Sequence, residues 1–193
     1  MFGGKTEYAI SELRAAVAVG RRVRAYKHVI DNRYDPDHLV THRNETFDAL
    51  RVPDAESIAI DVFELTGGAL GSEFERGELA RPRADLVAID EGHFFRMALI
   101  PVVEQLLAAG VSVIVIGITH DAWGRPFEPM PQLAAMADQV VLRQAPCRTC
   151  GTPAAYTQRL TRIDSLHMVG GLDDYEPRCR EHFTPLPGPP EIR

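Results

Sequence analysis

The stretch LVAIDE, residues 86–91, decides the fold class of this chain. Its first four residues form a short, continuous apolar run, and Asp90 and Glu91 follow directly. An apolar run without polar alternation is typical of a strand that is buried on both faces of a parallel sheet. Acidic residues at the carboxyl end of such a strand lie where α/β sheets bind their ligands. The stretch therefore predicts a parallel strand with a functional site at its end.

The chain after this strand alternates between helix and strand patterns. GHFFRMALIPVVEQLLAAG (92–110) predicts a helix that ends at Gly110, and VSVIVIGI (111–118) predicts the next buried strand. PQLAAMADQV (131–140) predicts another short helix, which leads into a strand at VVLRQA (140–145).

The chain before the strand continues the same alternation. EYAISELRAAVAVG (7–20) has apolar residues at helical spacing, and RRVRAYKHVI (21–30) indicates a short strand. ESIAIDVFEL (56–65) fits a helix or a strand equally well. Alternating strands and helices predict an α/β fold with a doubly wound parallel sheet.

Composition and charge narrow the class of protein. The 193 residues are 45% hydrophobic and 25% charged, as in an ordinary globular protein, and suffice for one domain with a small appended lobe. The formal net charge of −6 argues against an electrostatic nucleic-acid binder. No apolar run approaches the roughly 20 residues of a membrane helix, and the start lacks the pattern of a signal peptide. We expect a cytoplasmic protein that binds neither nucleic acid nor membrane.

The first candidate site combines the amino terminus with the two acids. Gly4, Lys5 and Thr6 fit the end of the phosphate-loop pattern G-x-x-x-x-G-K-[ST], in which the lysine reaches the phosphates and the hydroxyl binds Mg²⁺. An acid such as Asp90 can hold Mg²⁺ beside that threonine, and Glu91 can take a proton from an attacking hydroxyl. Alternatively, GGKT is a flexible terminus and the acids only end a strand and cap the next helix.

The second candidate site is a metal site near the carboxyl terminus. Cys147 and Cys150 form C-x-x-C, and Cys179 and His182 form C-x-x-H. Two such pairs supply four ligands to one tetrahedral Zn²⁺, and an odd number of cysteines argues against disulfides. Four protein ligands leave no open position, so we expect a structural zinc.

The motifs of this chain, in order, resemble those of the cytosolic and bacterial thymidine kinase family. MFGGKT is similar to G-P-M-F-x-G-K-[ST], DNRY and THRN to D-x-R-Y and S-H-x-[GN], and IDEGHFF to D-E-[AG]-Q-F-F. GITHDAWGRPF is similar to G-L-D-x-x-F-x-x-x-P-F, and CRTCG, AAYTQRLT, VGGLDDY and CREH complete the series. The resemblance covers nearly the whole chain.

The resemblance implies transfer of the γ-phosphate of ATP to the 5′-hydroxyl of thymidine or a similar deoxynucleoside, with Glu91 as the general base. It implies that ATP and Mg²⁺ are bound by Gly3, Gly4, Lys5, Thr6, Asp31, Arg33 and Asp90. It implies that the nucleoside is bound by Phe94, Ala122, Phe127, Leu166, His167, Met168, Val169, Gly170 and Tyr175. The phenylalanines also fit a plain core role, and Tyr175 fits packing against the zinc lobe.

The resemblance also implies an organisation and an assembly. We expect a phosphate-loop α/β core over residues 1–144, a zinc lobe with a nucleoside-binding flap over 145–184, and a disordered proline-rich tail over 185–193. The family is usually a homotetramer that thymidine triphosphate inhibits by feedback. The front of the phosphate loop and the strand before it would lie ahead of Met1, so we expect the natural start to lie upstream.

Other positions depart from the family pattern. Ala122 stands where the family has a phenylalanine beside the nucleobase, Thr119 replaces an acid, and His93 replaces a glutamine. The neighbouring Trp123 is a candidate substitute for the missing ring. The link over residues 63–84 is longer than usual and predicts a surface excursion. Three alternatives stay open: a kinase with another base preference, a nucleotide-binding relative with weak catalysis, and a zinc-ribbon binding module.

Overall fold

A computed structural model describes residues 3–31, 37–41, 44–64, 81–161 and 173–185 of the chain. The strands, numbered in chain order, are β1 (Val23–His28), β2 (His38–Val40), β3 (Thr46–Asp48), β4 (Leu50–Val52), β5 (Leu86–Asp90), β6 (Ser112–Val115), β7 (Tyr156–Arg159) and β8 (Tyr175–Arg178). The helices are α1 (Lys5–Ala18), α2 (Ala55–Phe63), a 3₁₀ helix (Gly92–Ala98), α3 (Leu99–Ala108) and α4 (Met130–Met136).

A parallel sheet with the strand order β4–β1–β5–β6 forms the centre of the fold. All five residues of β5 are buried, as the apolar run predicted. Two antiparallel pairs, β2–β3 and β7–β8, lie outside this sheet. Together with the flanking helices, the sheet confirms the predicted α/β class.

Residues of β5 alternate between two apolar layers, as side chains of a strand must. Val87 and Ile89 belong to the layer that α2 and α3 cover, whereas Leu86 and Ala88 belong to the layer that α1 covers. Asp90 lies two residues after Ala88, so its side chain is on the face of the sheet that α1 covers. Both layers consist mainly of buried aliphatic side chains, and the first also contains Tyr26, Phe63 and Phe95. The hydrophobic effect therefore holds the helices on both faces of the sheet.

The ambiguous segment after residue 55 is the helix α2. Asp54 caps it, because its Oδ1 accepts a hydrogen bond of 2.8 Å from the backbone N–H of Ser57. Ile58 and Val62 are fully buried at helical spacing. A side-chain cap and an apolar stripe of period 3.6 stabilise a helix over a strand.

The predicted continuous helix over residues 92–110 is wrong. Arg96 has φ 54° and ψ −158°, which breaks the segment into the 3₁₀ helix and α3. The break changes the direction of the chain, so that His93 and Phe95 are buried before it while Leu99 and Leu106 are buried in the core after it.

The predicted strand at residues 140–145 is also wrong. This segment has no regular structure, and Val140 and Leu142 are 53% and 70% exposed. A strand requires a neighbouring backbone to pair its N–H and C=O groups. Within the described ranges, no strand pairs with residues 140–145. Apolar composition alone does not make this segment a strand, because its backbone groups lack a neighbouring strand to pair with.

Several other predictions stay predictions. The domain boundaries at 144 and 184 are not tested by this architecture. Residues 186–193 of the predicted tail and residues 65–80 of the predicted excursion lie outside the described residues. Among the helices of the described part, none has the length and apolar character needed to cross a membrane.

Candidate active site and zinc cluster

Asp90 and Glu91 are held in a tight turn at the carboxyl end of β5. Glu91 has φ 48° and ψ 46°, a left-handed conformation that costs a non-glycine residue about 1 kcal/mol or more. Its backbone N–H donates a hydrogen bond of 2.9 Å to Asp90 Oδ1. The N–H of Gly92 donates one of 2.7 Å to Ile116 on the adjacent strand segment. This turn fixes the backbone positions from which the two acidic side chains extend.

Gly92 is required by the packing of this turn. A Cβ atom at Gly92 would lie 2.5 Å from Cγ1 of Val115, closer than real contacts allow. The side chain of Glu91 is only 12% exposed, and Asp90 is buried. The two acids therefore lie in a partly dehydrated environment, in which their electrostatic interactions are stronger than in water.

A buried lysine that sequence reasoning missed lies beside Asp90. Lys27 of β1 and Asp90 of β5 are register partners in the parallel sheet, so their side chains lie on the same face. Lys27 is 3% exposed, and its Nζ donates a hydrogen bond of 3.1 Å to the carbonyl of His38. The sequence signal for this lysine was its position two residues after Ala25 on a buried strand. Side chains two residues apart on a strand lie on the same face, so the pattern indicates that Lys27 faces the interior together with Ala25.

The amino terminus of α1 lies near the same edge of the sheet. Residues 19–22 connect the end of α1 to the start of β1, so the helix runs back along the strand. The 14 residues of α1 and the six residues of β1 both span about 20 Å. Lys5 and Thr6 are therefore close to the carboxyl ends of β1 and β5. The unpaired N–H groups and the dipole at a helix amino terminus favour phosphate groups.

The two glycines before α1 are Gly3, which is closely packed, and Gly4, which has a left-handed backbone. Gly4 has φ 68°, which favours glycine. A Cβ atom at Gly3 would lie 2.4 Å from the backbone oxygen of Arg143. Asp31, just after β1, is buried, whereas the predicted Arg33 lies outside the described residues.

Aromatic rings form a wall beside the acids. The His93 ring lies 4.3 Å from that of Phe94 and 4.6 Å from that of Phe127, measured between centroids. His93 is 2% exposed, and its Nδ1 lies 3.5 Å from Oε2 of Glu91. The structure thus brings two predicted nucleoside-binding residues next to the predicted base. Phe95 contacts His28 instead, at 4.8 Å, and belongs to the core.

The loop over residues 119–127 carries Phe127 and Ala122. The N–H of Phe127 donates to the carbonyl of Thr119 at 3.0 Å, which closes the loop. Ala122 is partly buried in it. The Trp123 ring is covered by the guanidinium of Arg125, 5.4 Å from the ring centroid.

The four predicted zinc ligands converge. Their ligand atoms all lie within 4.8 Å of one another. Cys150 Sγ lies 3.7 Å from Cys179 Sγ, which lies 3.1 Å from Nδ1 of His182, and that nitrogen lies 4.0 Å from Cys147 Sγ. Bonds of about 2.3 Å to sulfur and 2.0 Å to nitrogen at tetrahedral angles separate ligands by about 3.5–3.8 Å. The cluster therefore fits a Cys₃His zinc site.

The protonation of this cluster also suits a metal. Burial raises the pKa of the Cys147 thiol, but the backbone N–H groups of Cys179, Thr149 and Cys150 outweigh it and lower the pKa to about 6. Burial likewise opposes ionisation of Cys179, whose pKa is nonetheless lowered by its hydrogen bond with His182. Thiolates are the form that binds zinc.

Tyr175 is held by an arginine on the neighbouring strand. Its hydroxyl accepts a hydrogen bond of 2.6 Å from Nη1 of Arg159, and the guanidinium lies 4.7 Å from the ring centroid. Arg159 is buried. Residues 166–170, predicted to grip the nucleobase, lie outside the described residues, so their role stays a prediction.

Comparisons with known proteins identify relatives of this chain. A family model described as "Thymidine kinase" matches residues 1–183. A thymidine kinase of Bdellovibrio bacteriovorus is 38% identical over 185 residues, which cover 96% of this chain and 82% of that protein. A thymidine kinase of Rhodothermus sp. is 39% identical over 185 residues, with coverages of 96% and 78%.

Proposed function

The chain belongs to the thymidine kinase family, and from this premise we propose that it transfers the γ-phosphate of ATP to the 5′-hydroxyl of thymidine. The observation that carries the proposal is the pair Asp90 and Glu91, fixed in a strained turn at the end of β5. The buried Asp90 and the largely covered Glu91 at this edge would supply one ligand for a metal and one proton acceptor.

Residues at the start of α1 have the chemistry to hold the phosphates of ATP. The helix amino terminus supplies N–H groups, and Lys5 supplies a positive charge. Thr6 and Asp90 would hold Mg²⁺, which neutralises charge on the transferring phosphoryl group when it is bound. Asp31 and Arg33 are proposed to lie close to the phosphates as well.

Glu91 is proposed to accept the proton of the 5′-hydroxyl as that oxygen attacks the γ-phosphorus. Phe94 and Phe127 would form apolar contacts with the nucleoside, and Tyr175 and residues 166–170 would close over the base. The small Ala122, on the loop that carries Phe127, supports one alternative, a deoxynucleoside kinase with a different base preference, because an aromatic contact is worth about 1 kcal/mol.

Zinc in the Cys₃His cluster is proposed to be structural. All four positions of a tetrahedral ion would be taken by Cys147, Cys150, Cys179 and His182. The ion would join the segment at 147–150 to the segment that follows β8. We further propose that the protein acts as a homotetramer and that thymidine triphosphate inhibits it.

Phosphoryl transfer from labelled ATP to each of the four deoxynucleosides tests this function. Glu91→Gln is compared with Glu104→Gln, which changes an exposed glutamate on α3. We expect thymidine phosphate from the wild type and from Glu104→Gln, and a rate about 10²- to 10⁴-fold lower for Glu91→Gln.

Each other outcome of this assay has a definite meaning. A preference for another nucleoside would indicate that the pocket around Ala122 selects a different nucleobase. A folded wild-type protein that phosphorylates none of the four would contradict the proposed function.

A further inference from the structure

The contact between His93 and Glu91 is a buried pair of complementary groups. Nδ1 of His93 lies 3.5 Å from Oε2 of Glu91, and the two side chains are 3% and 12% exposed. The contact itself is longer than a hydrogen bond. An imidazole that carries hydrogen on Nδ1 would donate to the carboxylate once the two groups approach by about 0.5 Å, and catalytic hydrogen bonds commonly tighten in this way when substrate binds. In a site with little water, this interaction is stronger than the same interaction on the surface.

The His93 ring is held in one orientation by its neighbours. Phe94 and Phe127 pack against it with interplanar angles of 46° and 44°. The side chain is 3% exposed, so rotation about its bonds would require the packed phenylalanines to move. Nδ1 therefore stays directed toward the Glu91 carboxylate.

The backbone conformation of Glu91 does not by itself fix the orientation of its carboxylate. The glutamate side chain has three rotatable bonds, which the left-handed backbone at Glu91 leaves undetermined. A general base acts only when its carboxylate is within hydrogen-bond distance of the proton that it takes. Small displacements of a catalytic group are costly to the rate.

We propose that His93 is a positioning residue for phosphoryl transfer. It orients the Glu91 carboxylate through Nδ1 and links that orientation to the two aromatic rings proposed to contact the nucleoside. A nucleoside bound against Phe94 and Phe127 would contact the two rings that pack on His93, the residue that orients the general base Glu91. This inference rests on the proposed function, and it assigns to His93 a role beyond filling the space between two phenylalanines.

The test compares two substitutions that differ in hydrogen-bonding capacity. His93→Gln keeps an N–H donor, whereas His93→Leu has a similar apolar volume and no donor. We measure kcat, the KM for thymidine and the KM for ATP, with the midpoint of thermal unfolding as a check of the fold. If His93→Leu does not fold, His93→Met provides a more flexible apolar replacement.

We expect a split between kcat and KM. His93→Leu should lower kcat about 10-fold or more and change the KM for ATP less than about twofold, whereas His93→Gln should keep kcat within about threefold of the wild type. In the Glu91→Gln background, His93→Leu should have little further effect, because the carboxylate that it positions is gone.

The opposite results would overturn the inference. Equal losses of kcat in the Gln and Leu variants, or an undiminished effect of His93→Leu in the Glu91→Gln background, would leave His93 a packing residue only. An inactive, folded wild-type protein would instead refute the proposed function and the inference with it. Active wild type with equal losses in both variants refutes the inference alone.

Discussion

The ring of Tyr156 stacks on the ring of Phe183, with centroids 4.5 Å apart and planes 13° apart. Phe183 directly follows the predicted zinc ligand His182, and the Tyr156 ring also contacts that of His120, 4.9 Å away on the loop over residues 119–127. Gly124 of the same loop touches Phe183. The cysteine cluster is therefore packed through aromatic rings against the loop that carries Ala122 and Phe127.

Substitution of Gly124 should loosen this contact. Gly124 and Gly110 have nearly equal φ, 78° and 76°, but a Cβ atom at Gly124 would lie 2.7 Å from Cε1 of Phe183, and one at Gly110 would contact nothing within 4 Å. Gly110→Ala therefore measures backbone strain alone, about 1 kcal/mol. Gly124→Ala should cost about 1–3 kcal/mol more through overpacking and raise the KM for thymidine more than the KM for ATP.

Urea unfolding and steady-state kinetics of the two alanine variants check this expectation. Equal free energies of unfolding, or an unchanged KM for thymidine in Gly124→Ala, would show that the loop does not depend on its contact with Phe183.

Removal of one predicted zinc ligand should abolish metal binding without unfolding the sheet. We expect the purified protein to hold one zinc per chain, His182→Ala to lose it, and His38→Ala, a partly exposed histidine paired with Asp48, to keep it. The thermal midpoint of His182→Ala should fall, because binding energy of a structural zinc is folding energy.

Elemental analysis and thermal unfolding measure both effects. Zinc retained at full occupancy in His182→Ala would contradict the assigned ligand set. A loss of all cooperative unfolding would show that the sheet depends on the metal.

Tyr26→Phe should lower stability in a pH-dependent way. Tyr26 is fully buried, and its hydroxyl donates a hydrogen bond of 2.6 Å to Oδ2 of Asp61. Burial, followed by this hydrogen bond, raises the pKa of Tyr26 far above its ordinary value. Loss of a hydrogen bond to a charged but partly exposed partner should cost about 1–2 kcal/mol at neutral pH.

The sign of the pH effect follows from the raised pKa. Below about pH 10 the tyrosine is protonated in both the folded and the unfolded chain, so the difference between wild type and Tyr26→Phe stays constant. Above about pH 10 the unfolded chain ionises first, and this residue's contribution falls by up to about 1.4 kcal/mol per pH unit. Urea unfolding of both proteins at several pH values measures this contribution. A difference in unfolding free energy between wild type and Tyr26→Phe that grows above about pH 10 would contradict the buried hydrogen bond between Tyr26 and Asp61.

Asp90→Asn should raise the Mg²⁺ requirement of the reaction. The amide keeps an oxygen that can accept from the N–H of Glu91 but lacks the negative charge that a hard cation prefers. We expect the Mg²⁺ concentration at half-maximal rate to rise about 10-fold or more, while the exposed Asp138→Asn leaves it unchanged. Titration of activity with Mg²⁺ measures the shift, and identical curves would remove Asp90 from the metal site.

Local patterns sufficed for part of this molecule. The apolar run of β5 and the helical stripe of α1 each predict an element whose burial the structure confirms. The C-x-x-C and C-x-x-H pairs likewise predicted a cluster that forms. These signals are local, because strand burial, helix periodicity and ligand spacing are properties of a few consecutive residues.

Other features depended on groups far apart in the chain. The sequence by itself determined the α/β class, the strand that ends in two acids and the four residues of the Cys₃His cluster. Only the tertiary structure decided that residues 140–145 form no strand, that Lys27 lies beside Asp90, and that the His93 ring, locked between Phe94 and Phe127, directs Nδ1 toward Glu91. The reason is physical: strand pairing and side-chain contacts are made with partners that sequence spacing does not specify, and a buried polar group adopts the position that its neighbours allow.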